Sequence, residues 1–418
     1  MKKILALLLA ICMVAALFVG CAKEEKETEA PATEAKTEAA TEAKTEAPET
    51  EAETEAETEA EPEVTSDYKV AMITDYGDIT DQSFNQTTYE AGKAWCEENG
   101  LDFTYYKPTG DSTAERVASM EQAIEEGYNV LLMPGFAFAE AIVETVEDYP
   151  EVKYIALDVG EFDLQNAAGC ADDFSYVYPE NLYSAVYQEE LCGFMAGYAA
   201  VKLGYRHLGY LGGMAVPAVV RYGYGYVQGA DFAAKELGCT GDVTIEYVYG
   251  NQFFGDADIT AYMETIYDQG TEVVFACGGG IFTSAGEAAV KSEGKKVIGV
   301  DVDQAALINE MFKTEGLVVT SAMKGLAETV KTVLNALVKE NRWADFGGKV
   351  DTLGLVSEVP SENYVQLGTT QFGEGFTEDD YNALVAKMFN GEIEVDNNAD
   401  PDTHPETEIT VNYLGNIK

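Results

Sequence analysis

From Tyr68 onward the chain alternates short apolar runs with stretches whose apolar side chains recur every three or four residues. The runs Tyr68–Thr74, Asp102–Tyr106, Asn129–Met133 and Lys153–Leu157 are too short for helices and read as buried strands. Between them, Ser83–Asn99, Ser112–Glu126 and Ala137–Asp148 carry helical spacing. A second series follows: helix Asn181–Val201, strand His207–Leu211, helix Val219–Leu237, strand Val243–Tyr249, helix Asp256–Gln269, strand Glu272–Ala276, helix Ile281–Glu293 and strand Lys296–Val300. Such alternation builds parallel sheets covered by helices, so the pattern predicts an α/β protein with two doubly wound halves. Beyond them lie an apolar run Leu317–Thr320, a helix Leu326–Glu340, a helical pattern at Thr377–Asn390, a loop Asp396–His404 and a candidate edge strand Glu408–Tyr413.

The first 66 residues obey a different logic. Met1-Lys2-Lys3 and the apolar run Ile4–Val19 have the layout of a secretory signal, with a core short for a membrane span. Leu17-Phe18-Val19-Gly20-Cys21 resembles a bacterial lipoprotein cleavage box, which predicts a signal over residues 1–21 and lipidation of Cys21. Residues 22–66 form a degenerate Thr-Glu-Ala repeat with sixteen Glu against four Lys and no aromatic residue. That composition buries too little apolar surface to offset ordering entropy, so a disordered acidic tether is expected. Its flexible-chain reach is roughly 40 Å, extended further by self-repulsion.

Charge and composition then remove classes of function. A net charge of −48, with 26 Lys+Arg among 74 Asp+Glu, leaves no basic stripe for nucleic acid. Cys12 and Cys21 fall in the leader, and Cys96, Cys170, Cys192, Cys239 and Cys277 are odd in number, scattered and mostly among apolar neighbours, which favours free thiols over bridges. Only two histidines occur, His207 at a strand start and His404 in the tail, and neither suits a triad or a metal site. No phosphate-binding loop or nucleophile elbow is present, no cofactor is implied, and a binding protein fits better than an enzyme.

In open α/β sheets ligands bind beyond the carboxyl ends of the strands. Asp75 follows the first strand, Gly135 follows Val130–Pro134, Asp158 follows Tyr154–Leu157, Gly278-Gly279-Gly280 follow Val273–Cys277, Asp301 follows Val297–Val300, and Ser321 and Lys324 follow Leu317–Thr320. Three carboxylates, a lysine and several glycines therefore converge on one predicted crevice. The loop Asp75–Asn85 adds Asp81, Ser83, Phe84 and Asn85, of which Asp81 and Ser83 read as caps of the following helix.

Asp81-Gln82-Ser83-Phe84-Asn85-Gln86 is similar to the opening motif of the basic membrane protein family of lipoproteins, the purine nucleoside receptor A-like substrate-binding subunits of ABC importers. Further similar stretches arrive in order: Gly193–Ala200, Leu208–Gly213, Val220-Arg221-Tyr222 with Gly225, Tyr226 and Gly229, Val297–Gln304, and Thr320–Lys324. The resemblance spans roughly Tyr68 to Val338. It implies two Rossmann-like lobes joined by a three-stranded hinge, of the type I periplasmic-binding-protein kind, with a nucleoside in the interlobe cleft. It also implies roles. Phe84 and Tyr222, which stands where a phenylalanine is usual, would stack on the base, with Tyr226 as the alternative to Tyr222. Asn85 and Asp158 would bond the base edge, while Asp75, the Gly278 backbone, Asp301 and Lys324 would meet the ribose or the remaining sides of the base.

The resulting expectation is a lobe over residues 67–180, a second over 181–315, a return to the first over 316–345, and an extension over 346–418 packing on both. Its function would be to deliver a nucleoside to ABC permease and ATPase subunits from a lipid anchor on the extracytoplasmic face of a bacterium. The rival within binding proteins is a sugar or signalling-molecule receptor on this fold. The rival from another class is a surface nucleoside hydrolase with Asp75, Asp78 and Asp81 around Ca²⁺.

Overall fold

The structure, a computed structural model, describes residues 67–75 and 77–418. The leader, Cys21, the tether and Tyr76 lie outside the described residues. The first sheet takes β1 (Val70–Ile73), β2 (Phe103–Tyr106), β3 (Val130–Pro134), β4 (Lys153–Leu157) and β5 (Leu182–Tyr187). The second takes β6 (His207–Gly212), β7 (Thr244–Tyr249), β8 (Val273–Cys277), β9 (Lys296–Asp301) and β10 (Val318–Lys324). Later strands β11 (Lys349–Leu353), β12 (Val365–Leu367) and β13 (Thr410–Asn416) complete them. The orders are β11-β5-β4-β3-β1-β2 and β12-β10-β9-β8-β6-β7-β13, parallel except where β12 meets β10. Every residue of β1, β3 and β8 is buried, as strands covered on both faces require.

Eleven α-helices connect or flank the strands among the described residues: α1 (Phe84–Glu98), α2 (Thr113–Glu125), α3 (Ala139–Thr145), α4 (Glu161–Ala167), α5 (Glu189–Lys202), α6 (Pro217–Leu237), α7 (Ala257–Asp268), α8 (Phe282–Ala289), α9 (Ala305–Phe312), α10 (Leu326–Leu334) and α11 (Glu378–Phe389). The chain passes between the sheets three times: from β5 into α5, from β10 into α10, and from β11 to β12. Backbone hydrogen bonds join the passages, Gln188 N–H to Leu353 O at 2.9 Å and Gly325 N–H to Tyr364 O at 2.7 Å. This is the two-lobed α/β architecture expected from the sequence.

Two expectations about the chain's path are corrected. Residues 182–187 form a strand of the first sheet, so the helix read from Asn181 begins at Glu189. The two elements merge in the sequence because β5 is nearly all buried and α5 is buried almost all round, which erases both periodicities. Val318–Lys324 belongs to the second sheet, so the return to the first lobe begins at Gly325 rather than at residue 316. The C-terminal segment does more than pack, since it supplies a strand to the first sheet and two to the second, each at an edge.

Two glycine pairs set the hinge-side packing. A Cβ on Gly193 or Gly197 of α5 would overlap the carbonyl oxygens of Tyr222 or Tyr226, and one on Gly225 or Gly229 of α6 would overlap those of Glu190 or Phe194. The two backbones are thus in reciprocal contact, and only glycine fits. Gly225→Ala is expected to cost about 2 kcal/mol or more through overpacking. Thermal unfolding should show the midpoint falling by about 3 °C or more, and an unchanged midpoint contradicts the close approach.

Candidate functional site

The carboxyl ends of both sheets border one cavity of about 690 Å³, within the range of about 300–1,000 Å³ usual for small-molecule sites. All eight residues expected at a binding site line it: Asp75, Phe84, Asn85, Asp158, Tyr222, Gly278, Asp301 and Lys324. Tyr226 does not. The parallel topology brings them together by placing successive strand ends side by side.

Lys324, the last residue of β10, is buried at the centre. Its ammonium pairs with Asp158 across the cleft, with Glu189 at 3.3 Å and with Asp301 at 3.7 Å. It also stands over the rings of Phe84, Tyr187 and Tyr222 at 4.8, 5.5 and 5.8 Å, where aromatic faces attract a cation. Glu189 is shared with Arg221, whose Nε donates to it at 2.7 Å. Burial pushes the Asp158 carboxyl up to about 6 against the pull of Lys324, and burial also raises that of Asp301. Burial opposes ionisation of Glu189 too, but Arg221 and Lys324 outweigh it and hold that group below its ordinary range. Burial likewise works against the ammonium of Lys324, yet the three carboxylates keep it above the ordinary lysine range.

Two of the cleft aspartates hold strained backbones. Asp158 has φ 62° and Asp301 φ 64°, in the left-handed region that non-glycine residues seldom occupy. Each ends a central strand of its own lobe, and strain of this kind gathers where a side chain must be aimed.

The loop before α1 is organised by Asp81, not by Ser83. Asp81 Oδ1 accepts from the N–H groups of Ser83 and Gln86, both at 3.0 Å, and Oδ2 from that of Asn85 at 2.8 Å. Ser83 makes no capping bond, contrary to the sequence reading. Its hydroxyl donates across the cleft to Asp301 at 2.6 Å, and Gln304 Nε2 donates to Gln82 O at 3.2 Å. Asn85 Nδ2 donates to Asp75 at 3.3 Å and Asp81 at 3.1 Å, which orients the amide. Asn85 Oδ1 and Asp158 Oδ1 are then left buried with no hydrogen-bond partner.

Tyr222 lines the cavity from α6. It is only 1 % exposed, its ring stands edge-on to Phe275 and its hydroxyl reaches Ala322 O at 3.4 Å. Phe253, which sequence reasoning missed, lines the cavity from the loop after β7 and is half-buried. Its ring lies against Gly213 and Gly278, where a Cβ would collide with it. The strand-end rule, extended past Tyr249, points to this loop. Glu189 and Arg221 were also missed as members of the charge cluster.

The carboxylates of the first loop are each engaged by the protein itself. Asp78 pairs with Lys107 at 2.6 Å, Asp81 is spent on α1, and Asp75 accepts from Gly77 N–H at 2.6 Å. Among the described residues no group of three His, Cys, Asp or Glu could hold a metal ion. The five described cysteines are unpaired, as the scatter predicted.

Two lobes, three passages and a cavity at the carboxyl ends of both sheets make up the fold of the periplasmic-binding-protein type. Solved ABC-transporter solute-binding proteins share the fold: one from Aeropyrum pernix K1 (TM-score 0.62, 22 % identity, 80 % of this chain and 95 % of that one) and one from Conexibacter woesei (TM-score 0.59, 21 % identity, 79 % and 99 %). The family model for the PnrA-like ABC transporter substrate-binding proteins matches residues 68–399, and the chain belongs to that family. It is similar to the ABC transporter nucleoside-binding protein BmpA of Lactococcus lactis (27 % identity, 70 % of this chain and 80 % of that protein) and to basic membrane protein B of Borreliella burgdorferi (28 %, 71 % and 81 %). An uncharacterized lipoprotein of Pyrococcus furiosus is 26 % identical over 73 % of this chain and 72 % of its own length.

Beside the cluster, Glu190 at the start of α5 is buried with Oε2 unpartnered, and burial raises its carboxyl to about 7. A folded-state value above the unfolded one means that the folded form holds the proton more tightly, so stability falls as pH rises from about 4.5 to about 7. Glu190→Gln should therefore match the natural protein at pH 4.5 and exceed it at pH 8 by on the order of 2 kcal/mol. Denaturant unfolding at the two pH values checks this, and a variant less stable at pH 8 contradicts it.

Proposed function

We propose that the protein binds a nucleoside, in particular a purine nucleoside, and delivers it unaltered to the permease and ATPase subunits of an ABC importer. The observation that carries this reading is the pairing of aromatic walls with unspent acceptors in one cavity. Phe84 from the first lobe and Phe253 from the second each offer a half-buried aromatic face, suited to a flat heteroaromatic ring. Beside them Asn85 and Asp158 each keep a buried oxygen with no partner, and a buried acceptor of this kind calls for a donor. The N–H groups on a purine edge supply such donors. Ribose hydroxyls would donate to the carboxylates of Asp75 and Asp301 and accept from the ammonium of Lys324, beside the Gly278 backbone.

In this reading Phe253 takes the stacking role first expected of Tyr222. The name of the Lactococcus relative, a nucleoside-binding protein, supports the ligand class. Cys21 would carry the lipid anchor, and the acidic tether would hold the lobes off the extracytoplasmic face of a bacterial membrane.

Calorimetry on the purified protein with inosine, guanosine, adenosine and a panel of sugars tests the proposal. At least one nucleoside should bind with a micromolar or lower Kd, and Phe84→Ala should weaken it about tenfold to a hundredfold, as lost base stacking does. Binding of sugars with no response to any nucleoside would overturn the ligand class.

A further inference from the structure

The cleft changes character with distance from the hinge. Moving out from the β10 passage, the second sheet presents Lys324, then Asp301, then the Gly278 backbone, and finally the loops after β6 and β7. There the wall becomes Met214, Val216, Phe253 and Phe254, and Met311 of α9 also lines the cavity. Phe254 is 61 % exposed and Met311 40 %. The amide on this wall is spent, since Gln252 Nε2 donates to Phe254 O at 2.8 Å and to Asp256 at 2.9 Å. On the facing wall the outermost charges, Lys107 and Asp78, neutralise each other. The outer half of the cavity therefore offers a ligand apolar surface where the inner half offers carboxylates and an ammonium.

Backbone contacts hold Phe253 and Phe254 of that wall. Gly280 N–H donates to Phe253 O at 2.9 Å, Phe254 bridges Gly280, and the Phe253 ring is seated on glycine backbone at Gly213 and Gly278. Large apolar side chains held in place at a pocket mouth mark a site for an apolar group. An unsubstituted nucleoside has none to give: its hydroxyls are served at the inner end and its base by the stacking faces.

We propose, resting on the nucleoside reading, that the cleft is built for a nucleoside bearing an apolar substituent, an alkyl, alkylthio or arylalkyl group, which lodges against Met214, Val216, Phe254 and Met311. Each buried methylene contributes about fourfold in affinity, so a four-carbon or benzyl group should bind at least about tenfold more tightly than the parent.

The test is competition calorimetry of adenosine against 5′-deoxy-5′-butylthioadenosine and N6-benzyladenosine, on the natural protein and on Phe254→Ser. The proposal expects at least one substituted compound to outcompete adenosine about tenfold or more, and Phe254→Ser to shrink that ratio toward one with an unchanged thermal midpoint. If adenosine binds as tightly as or more tightly than both substituted compounds, the proposal is overturned and the nucleoside reading stands. If sugars bind and no nucleoside does, substituted or not, both fall together.

Discussion

The ammonium of Lys324 is the group on which the cleft depends. A lysine 5 % exposed is tolerable only where charge surrounds it, and Asp158, Glu189 and Asp301 meet that need from three elements. Lys324 and Glu189 bracket the hinge. Lys324 ends the strand before one passage and Glu189 begins the helix after another, so their contact ties two passages together, while Asp158 reaches from the first lobe. Even with Arg221 counted, the cluster holds three carboxylates against two cations, and burial raises Asp158 and Asp301 for lack of full compensation. Donors brought by a ligand would complete it.

Groups that line the cavity therefore also join the lobes. Ser83 and Gln82 on the first lobe bond Asp301 and Gln304 on the second, and Asp158 and Asp301 are aimed by backbones held in a strained region. A solute that engages these aspartates acts on the contacts that join the lobes. Binding energy can thus favour the closed arrangement through differential contact with it.

Much of this was legible in the chain. Parallel sheets put the residues that follow their apolar runs at one end, so the place of Asp75, Asp158, Gly278, Asp301 and Lys324 beside one cavity could be read from position alone. What escaped depended on tertiary partners. Ser83 stands at a helix start, where capping is the local expectation, and only the other lobe supplies Asp301 to outbid it. Glu189 and Glu190 sit in a first turn, where acids are ordinary, and nothing local reveals that both are buried. Phe253 follows a strand as the rule demands, but an aromatic in a polar loop carries less signal than an aspartate, and Tyr222 stood where the resemblance placed the second ring. The β5 strand vanished into α5 because burial on every side leaves no period to read.

The most direct measurement is a crystal structure of the protein with purine nucleoside bound. The account predicts a base between Phe84 and Phe253, with an N–H of the ligand within hydrogen-bond distance of Asn85 Oδ1 and another of Asp158 Oδ1, and sugar hydroxyls on Asp301 and Lys324. A base seated away from both rings, with those two oxygens still unpartnered, contradicts it.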